Sequence, residues 1–284
     1  MYIYGVDFSG AKDASERIYI AQGQLTDDGV FTLENCWSCD DRLDLYAAIL
    51  ANDKNAIWGL DFPFAPAFPA YERMGFSQWE HWLQLANRST RSMFSSHLAS
   101  TFLPHEGRCH SSNWACRHTD VACHAASPFK QVQPNMRSMV YAGWKLLHYA
   151  QNAGCSIYPW NYKANVPILC EVYPSHTARL ATGKRALEIH TVAQLTTLYG
   201  GFRKLTISDD LCIPPTQDAV DACIACLTLA AVYVRDRVAL EQGNQPSFSS
   251  KLEWENRQYE GLIVRLANSV LNDSVNHQSQ TYGH

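Results

Sequence analysis

Five acidic residues stand where carboxylates could do chemistry. Asp7 closes the apolar run Tyr2–Asp7 and Asp61 closes Ala56–Asp61; Glu171 lies near the end of the run 166–173, and Asp218 and Asp221 open a long apolar segment. Acids are depleted inside strands, and an apolar run that ends in one sets a carboxylate at the carboxyl edge of a sheet, where open α/β sheets build their sites. Asp218 and Asp221 are three apart, so on a helix both point to nearly the same face. Carboxylates gathered at one point repel and raise one another's proton affinity unless a cation lies between them. Hard oxygen donors without a well-spaced Cys or His set favour Mg²⁺ or Mn²⁺ over Zn²⁺. Two such ions, roughly 3.5–4 Å apart, would activate a water and stabilise the leaving oxygen in phosphodiester cleavage. A single strand-end acid is ordinarily a cap or a solvated turn; the recurrence at corresponding edges is what points to a shared metal site.

The elements that must position these acids follow from periodicity. Residues 2–7, 18–24 and 30–37 read as three strands joined by tight turns, with Thr26-Asp27-Asp28-Gly29 as the second turn. From Asp41, Leu43, Leu45, Tyr46, Ile49 and Leu50 recur at helical spacing, and 56–61 then reads as a buried strand. Prolines break regular structure after Asp61. A short helix is expected over 78–85, irregular chain over 95–135, and a helix over 136–152 from the spacing of Met139, Val140, Trp144, Leu147 and Tyr149. A strand at 166–173 and helices at 177–181, 186–198 and 216–238 complete the string. The order is βββαβ, an insertion at 62–135, then αβααα. It makes one domain over 1–271, with a polar, disordered tail at 272–284.

At 284 residues, with 46% apolar and 12% aromatic content, the chain buries a substantial core and lacks the signature of disorder. No run approaches the roughly 18 consecutive apolar residues of a membrane span, and the start MYIYGVDF lacks a basic leader region, so no membrane is expected and the location expected is cytoplasmic. In that compartment the ten cysteines are expected as thiols. The net charge of −4 argues against a surface that coats nucleic acid. Yet residues 84–137 hold six cations (Arg88, Arg91, Arg108, Arg117, Lys130, Arg137) against Glu106 and Asp120, with five histidines beside them.

That insertion offers Arg for phosphate and Phe94, Phe102, Trp114 and Phe129 for stacking on nucleic acid, or equally a small core of its own. Arg117 and Asp120 stand at i, i+3 and can pair with each other. Cys109, His110, Cys116, His118, Cys123 and His124 lack the close pair typical of zinc knuckles. Cys223 and Cys226 read as core thiols of an apolar helix. Lys12, just beyond the first acid, is either a phosphate contact or a solvated turn lysine.

Several short motifs together resemble the domain of unknown function 429 family, predicted RNase H-like nucleases. They are Gly5-Val-Asp-Phe-Ser-Gly-Ala-Lys12, Trp58-Gly-Leu-Asp-Phe-Pro-Phe64, Arg117-His-Thr-Asp-Val121, Ser127-Pro-Phe129, Glu171-Val-Tyr-Pro174 and Asp218-Ala-Val-Asp-Ala222. Tyr259-Glu-Gly-Leu-Ile263 is similar to the family's closing Glu-Gly motif. The resemblance implies an α/β protein with an RNase H-like core: a mixed five-stranded sheet, order 3-2-1-4-5, flanked by helices, its second strand antiparallel to its neighbours, with a long insertion between strands 4 and 5. It implies that Asp7 bridges two Mg²⁺ or Mn²⁺ ions, that Asp61 and Glu171 flank it, and that Asp218 or Asp221 completes the set. Ser9, Lys12, Arg117 and Asp120 would then contact a nucleic-acid substrate. The alternatives are a nucleotide-dependent phosphotransferase of related fold, for which a second glycine-rich phosphate loop is missing, and a non-catalytic module that binds nucleic acid or protein.

Overall fold

The computed structural model describes residues 1–13, 17–51, 56–101, 115–130, 136–183 and 202–266. Its first five elements are β1 (Tyr2–Asp7), β2 (Ile18–Leu25), β3 (Val30–Cys39), α1 (Arg42–Ala51) and β4 (Ala56–Asp61). Four short helices follow, α2 (Pro69–Met74), α3 (Glu80–Arg88), α4 (Arg91–Thr101) and α5 (His118–Cys123), and then α6 (Arg137–Asn152). The rest is β5 (Ser156–Ile157), β6 (Ile168–Val172), α7 (Pro174–Thr182), β7 (Lys204–Ile207), α8 (Gln217–Gln242), α9 (Lys251–Glu260) and β8 (Ile263–Val264). The helix expected over 186–198 and the tail 272–284 lie outside the described residues.

These strands form one mixed, open sheet in the order β5-β6-β4-β1-β2-β3-β7, with β8 also paired to β6. Among the described residues, eight strands stand where five were expected. β5 and β8 share the outer edge of β6, and β7 extends the far edge beside β3. The two-residue strands β5 and β8 carry no alternation that a sequence can display, and β7 is only four residues long. β2 runs antiparallel to β1 and β3; the other pairs are parallel.

Alternation along the strands sorts side chains to two faces. Tyr4, Val6, Trp58, Leu60 and Leu169 pack with α1, α3 and α6, whereas Ile3, Ile57, Cys170 and Val172 pack under α8. The insertion adds to the first layer. Phe94 and Phe129 are buried in the same core as Trp58, with Trp82 and Trp144 between them, so they are not stacking platforms for a ligand. Phe102 and Trp114 lie outside the described residues. The region read as irregular holds α4 and α5; α4 is Ser-rich and α5 only six residues long, so neither displays a clear helical period.

Helix α8 is apolar all round because it is enclosed. By length and composition it would pass for a membrane span, but 78% of its most apolar window is buried inside the protein. It crosses the sheet where Gly5 and Gly59 are paired across β1 and β4. A Cβ on Gly5 would stand 2.1 Å from the Cys226 amide nitrogen and 2.3 Å from the Ala222 carbonyl oxygen, both backbone atoms of α8. Gly5→Ala is therefore expected to cost about 3 kcal/mol, at the upper end for overpacking, because backbone has to move rather than a side-chain tip. Urea unfolding measures this. An unchanged midpoint would mean that the helix shifts freely and that its seat on β1 is not fixed.

Candidate functional site

Two residues beyond the paired glycines, Asp7 lies directly opposite Asp61 at the carboxyl ends of β1 and β4. Both share the parity of Gly5 and Gly59, so both point to the face that carries α8. The first turn of α8 begins just there. Thr216 caps it by accepting the Ala219 amide at 3.2 Å, which fixes the rotation that presents Asp218 and Asp221. Acids in a first turn are also favoured by the helix dipole. All four carboxylates are half-buried.

Their electrostatics confirm that they sense one another. Burial, then the charges of Asp61, Asp218 and Asp221, pushes the Asp7 carboxyl well above its usual range. Burial, then Asp221 and Glu171, does the same to Asp61. Asp221 is pushed up to about 6 by burial, against a 2.9 Å hydrogen bond from Gln217 Nε2 and with a further push from Asp218. Asp221 thus acts on both strand acids. Among the described residues, no three His, Cys, Asp or Glu side chains are grouped closely enough to hold one ion as they stand.

Glu171 does not join this group. It pairs in register with Leu60, not with Asp61, and the alternation of β6 turns it to the opposite face of the sheet. There its Oε1 accepts Arg117 Nη2 at 2.6 Å, and its Oε2 accepts Arg117 Nη1 at 2.7 Å and the Phe64 amide at 2.9 Å. Both oxygens are engaged by the protein itself.

The expected phosphate contact from Arg117 and the substrate role of Asp120 are corrected by the same network. Arg117 is 1% exposed and Asp120 fully buried. The guanidinium gives Nε and Nη2 to Asp120 at 2.6–3.1 Å, both Nη atoms to Glu171, and the second Nη1 donor to the Glu260 carbonyl at 3.2 Å. All five N–H donors are used, which leaves none for a phosphate. Burial alone would lower the proton affinity of Arg117, but Asp120 and Glu171 outweigh it and hold the charge. Asp120 Oδ2 also accepts the Arg117 amide at 2.9 Å, so the i, i+3 pair is the cap of α5.

Sequence reasoning passed over Glu260, the Glu of the closing motif. Its Oε1 accepts the Phe68 amide at 3.0 Å, and its Oε2 accepts the His118 amide and faces His118 Nδ1, each at 2.8 Å. The missed signal was Ser250-x-x-Glu253, a capping box that announces α9 and hence a buried carboxylate at its end. Ser9 is half-buried, its Oγ accepting the Ala11 amide at 3.3 Å, and Lys12 is exposed on the loop after Asp7. Of the Cys and His residues of the insertion, Cys109 and His110 lie outside the described residues, Cys123 is buried and His118 faces Glu260.

No family model, curated protein or solved structure matches the chain. The site must therefore be judged on its own chemistry.

Without metal, the raised proton affinities carry a definite sign. An unfolded Asp221 loses its proton near 3.8, whereas the folded chain holds it to about 6. Over that interval the folded state binds more protons than the unfolded, so the stability from this group is full below 3.8 and is lost as pH rises through about 6. The shift corresponds to on the order of 3 kcal/mol. Urea midpoints in EDTA should decline between pH 4 and 7 (approximately the interval just given) more steeply for wild type than for Asp221→Asn. Equal slopes would remove Asp221 from the repelling set.

Proposed function

We propose that this chain is a divalent-metal-dependent phosphodiester hydrolase of RNase H-like build that acts on nucleic acid. One observation carries the proposal: Asp7, Asp61, Asp218 and Asp221 converge from two parallel strand ends and one helix start, and repel one another. Such an arrangement costs stability unless it is used, and a divalent cation is the ordinary relief. The donor set is all carboxylate oxygen and half-buried, a chemistry that suits Mg²⁺ or Mn²⁺, and its acids would have to draw closer together to hold one ion. Asp7 and Asp61, with Asp218 or Asp221, would hold the metal, which supplies Lewis-acid charge at a phosphoryl oxygen when bound.

The other roles belong to the chain. Gln217 donates to one oxygen of Asp221 at 2.9 Å and so restrains its carboxylate. Glu171 is left out of the ligand set, because Arg117 and the Phe64 amide hold both of its oxygens; it adds negative charge beside Asp61 instead. The RNase H-like reading is supported by the succession β3-β2-β1-β4-β6 within the larger sheet, with β2 alone antiparallel to its neighbours, and by the motifs that resemble the domain of unknown function 429 family.

The test is calorimetric titration of Mn²⁺ into the full chain, paired with cleavage assays on single-stranded, duplex and branched DNA and RNA. Metal binding with cleavage of any of these is the expected result. Absence of metal binding, with or without nucleic acid present, would overturn the proposal.

A further inference from the structure

Outside the carboxylate site, a cavity of about 300 Å³ is lined by Arg42, Tyr46, Arg91, Tyr141, Lys145 and Tyr149, along with apolar side chains. Three cations and three phenol rings meet there. Arg42 and Tyr46 are one turn apart on α1, and Tyr141, Lys145 and Tyr149 form a single i, i+4, i+8 stripe along α6. The Arg91 guanidinium lies 5.4 Å and Lys145 Nζ 5.6 Å from the centre of the Tyr141 ring. The Tyr46 and Tyr149 rings stand 6.0 Å apart, tilted by 56°, and Tyr149 is 42% exposed.

Arg42 and Arg91 give only some of their donors to the protein. Arg42 gives Nε and Nη2 to the Ser9 carbonyl at 3.2 and 3.1 Å and Nη2 also to the Ala11 carbonyl; Arg91 reaches the Gly10 and Ala11 carbonyls. Among the described residues, no carboxylate forms an ion pair with Arg42, Arg91 or Lys145. Burial, then the nearby charge of Arg91, disfavours the charged form of Arg42, and Asp41 offsets part of this. Three like charges at one concavity call for an anion, and adjacent ring faces call for a flat partner. A phosphate joined to a base meets both demands. The place is also telling: the carbonyls that Arg42 and Arg91 hold belong to the loop that continues directly from Asp7.

We infer that this pocket binds one nucleotide of a single-stranded nucleic acid, its phosphate among Arg42, Arg91 and Lys145 and its base against Tyr46 and Tyr149. The pocket lies on the α1 and α6 side of the sheet, and the loop after Asp7 joins it to the carboxylates on the α8 side. Its role as a substrate subsite rests on the hydrolase proposal; its affinity for single strands does not. A cavity of this size accepts one unstacked base, which a duplex does not offer.

The experiment is fluorescence anisotropy of labelled oligothymidylate and oligouridylate, about 12 nucleotides long, with the full chain in EDTA, so that nothing is cleaved. A duplex of equal length serves as competitor, and the variants are Lys145→Gln and Tyr149→Leu, neither of which touches the loop after Asp7. Single strands of one or both kinds should bind at least about tenfold more tightly than duplex, and each variant should weaken binding about fivefold or more. Lys145→Gln should also flatten the slope of log affinity against log salt by about 0.7, whereas Tyr149→Leu should leave that slope unchanged. A misfolded variant would not produce this split. Failure to bind single strands, preference for duplex, or variants indistinguishable from wild type would each overturn the inference. Strand binding in EDTA without cleavage in Mn²⁺ would sink the hydrolase proposal alone. Cleavage by wild type with binding unaltered in both variants would sink the pocket alone.

Discussion

Asp7→Asn is expected to lower Mn²⁺-supported cleavage by about a thousandfold or more, since roughly 4 kcal/mol of transition-state stabilisation would go with the metal. Asp7 is the acid on which the other three charges act together, and it sits in register with Asp61, so its loss opens the middle of the donor set. The same substitution should make the metal-free chain more stable at neutral pH, by on the order of 1 kcal/mol, because one of four repelling carboxylates has become neutral. Lost activity with a raised unfolding midpoint is the signature of a functional acid. A fall in both would mean that Asp7 only holds the fold, and retained cleavage would end its role as a ligand.

Arg117→Met should be the most damaging single change to stability, at about 3–5 kcal/mol, because it leaves Asp120 and Glu171 buried without their common partner. For a chain of this size that lowers Tm by on the order of 10 °C. Arg117→Lys should recover little. An ammonium cannot span two carboxylates and the Glu260 carbonyl with a planar fork. The double variant Arg117→Met/Glu171→Gln should be less destabilised than the two single losses added together, since each removes the other's stranded charge. Thermal and urea unfolding measure all three. A loss below about 1 kcal/mol for Arg117→Met would show that water or a rearranged neighbour takes the place of the guanidinium.

Much of the positioning was legible because it depends on local pattern. The acid-ended runs 2–7 and 56–61 are strands over those residues, and the spacing of Met139, Val140, Trp144 and Leu147 marks α6. The apolar run behind Asp218 is α8, only a few residues longer than expected. What was not legible depends on pairing. Glu171 lies near the end of an apolar run, much as Asp7 and Asp61 close theirs, but which face it takes is decided by its register with Leu60, and register between distant strands is absent from the sequence. Arg117 illustrates the same limit. Its i, i+3 partner could be read directly, but its more distant partners, Glu171 and Glu260, reach it only through tertiary structure. The tyrosine and lysine stripe on α6 was written in the sequence at four-residue intervals, and its significance appears only when α1 and α4 bring Arg42 and Arg91 to it.

The seat of α8 on Gly5 also governs when the site can come into being as the chain is made. Asp7 emerges from the ribosome well before Asp218 and Asp221, with more than two hundred residues between them. Closing so long a loop is slow, and the contacts that repay it form only when the late helix docks on the early strand. A nascent or truncated chain that has completed β1, β2, β3 and β4 therefore carries two of the four carboxylates and none of the enclosing helix. The acidic centre is assembled only when α8 docks on β1.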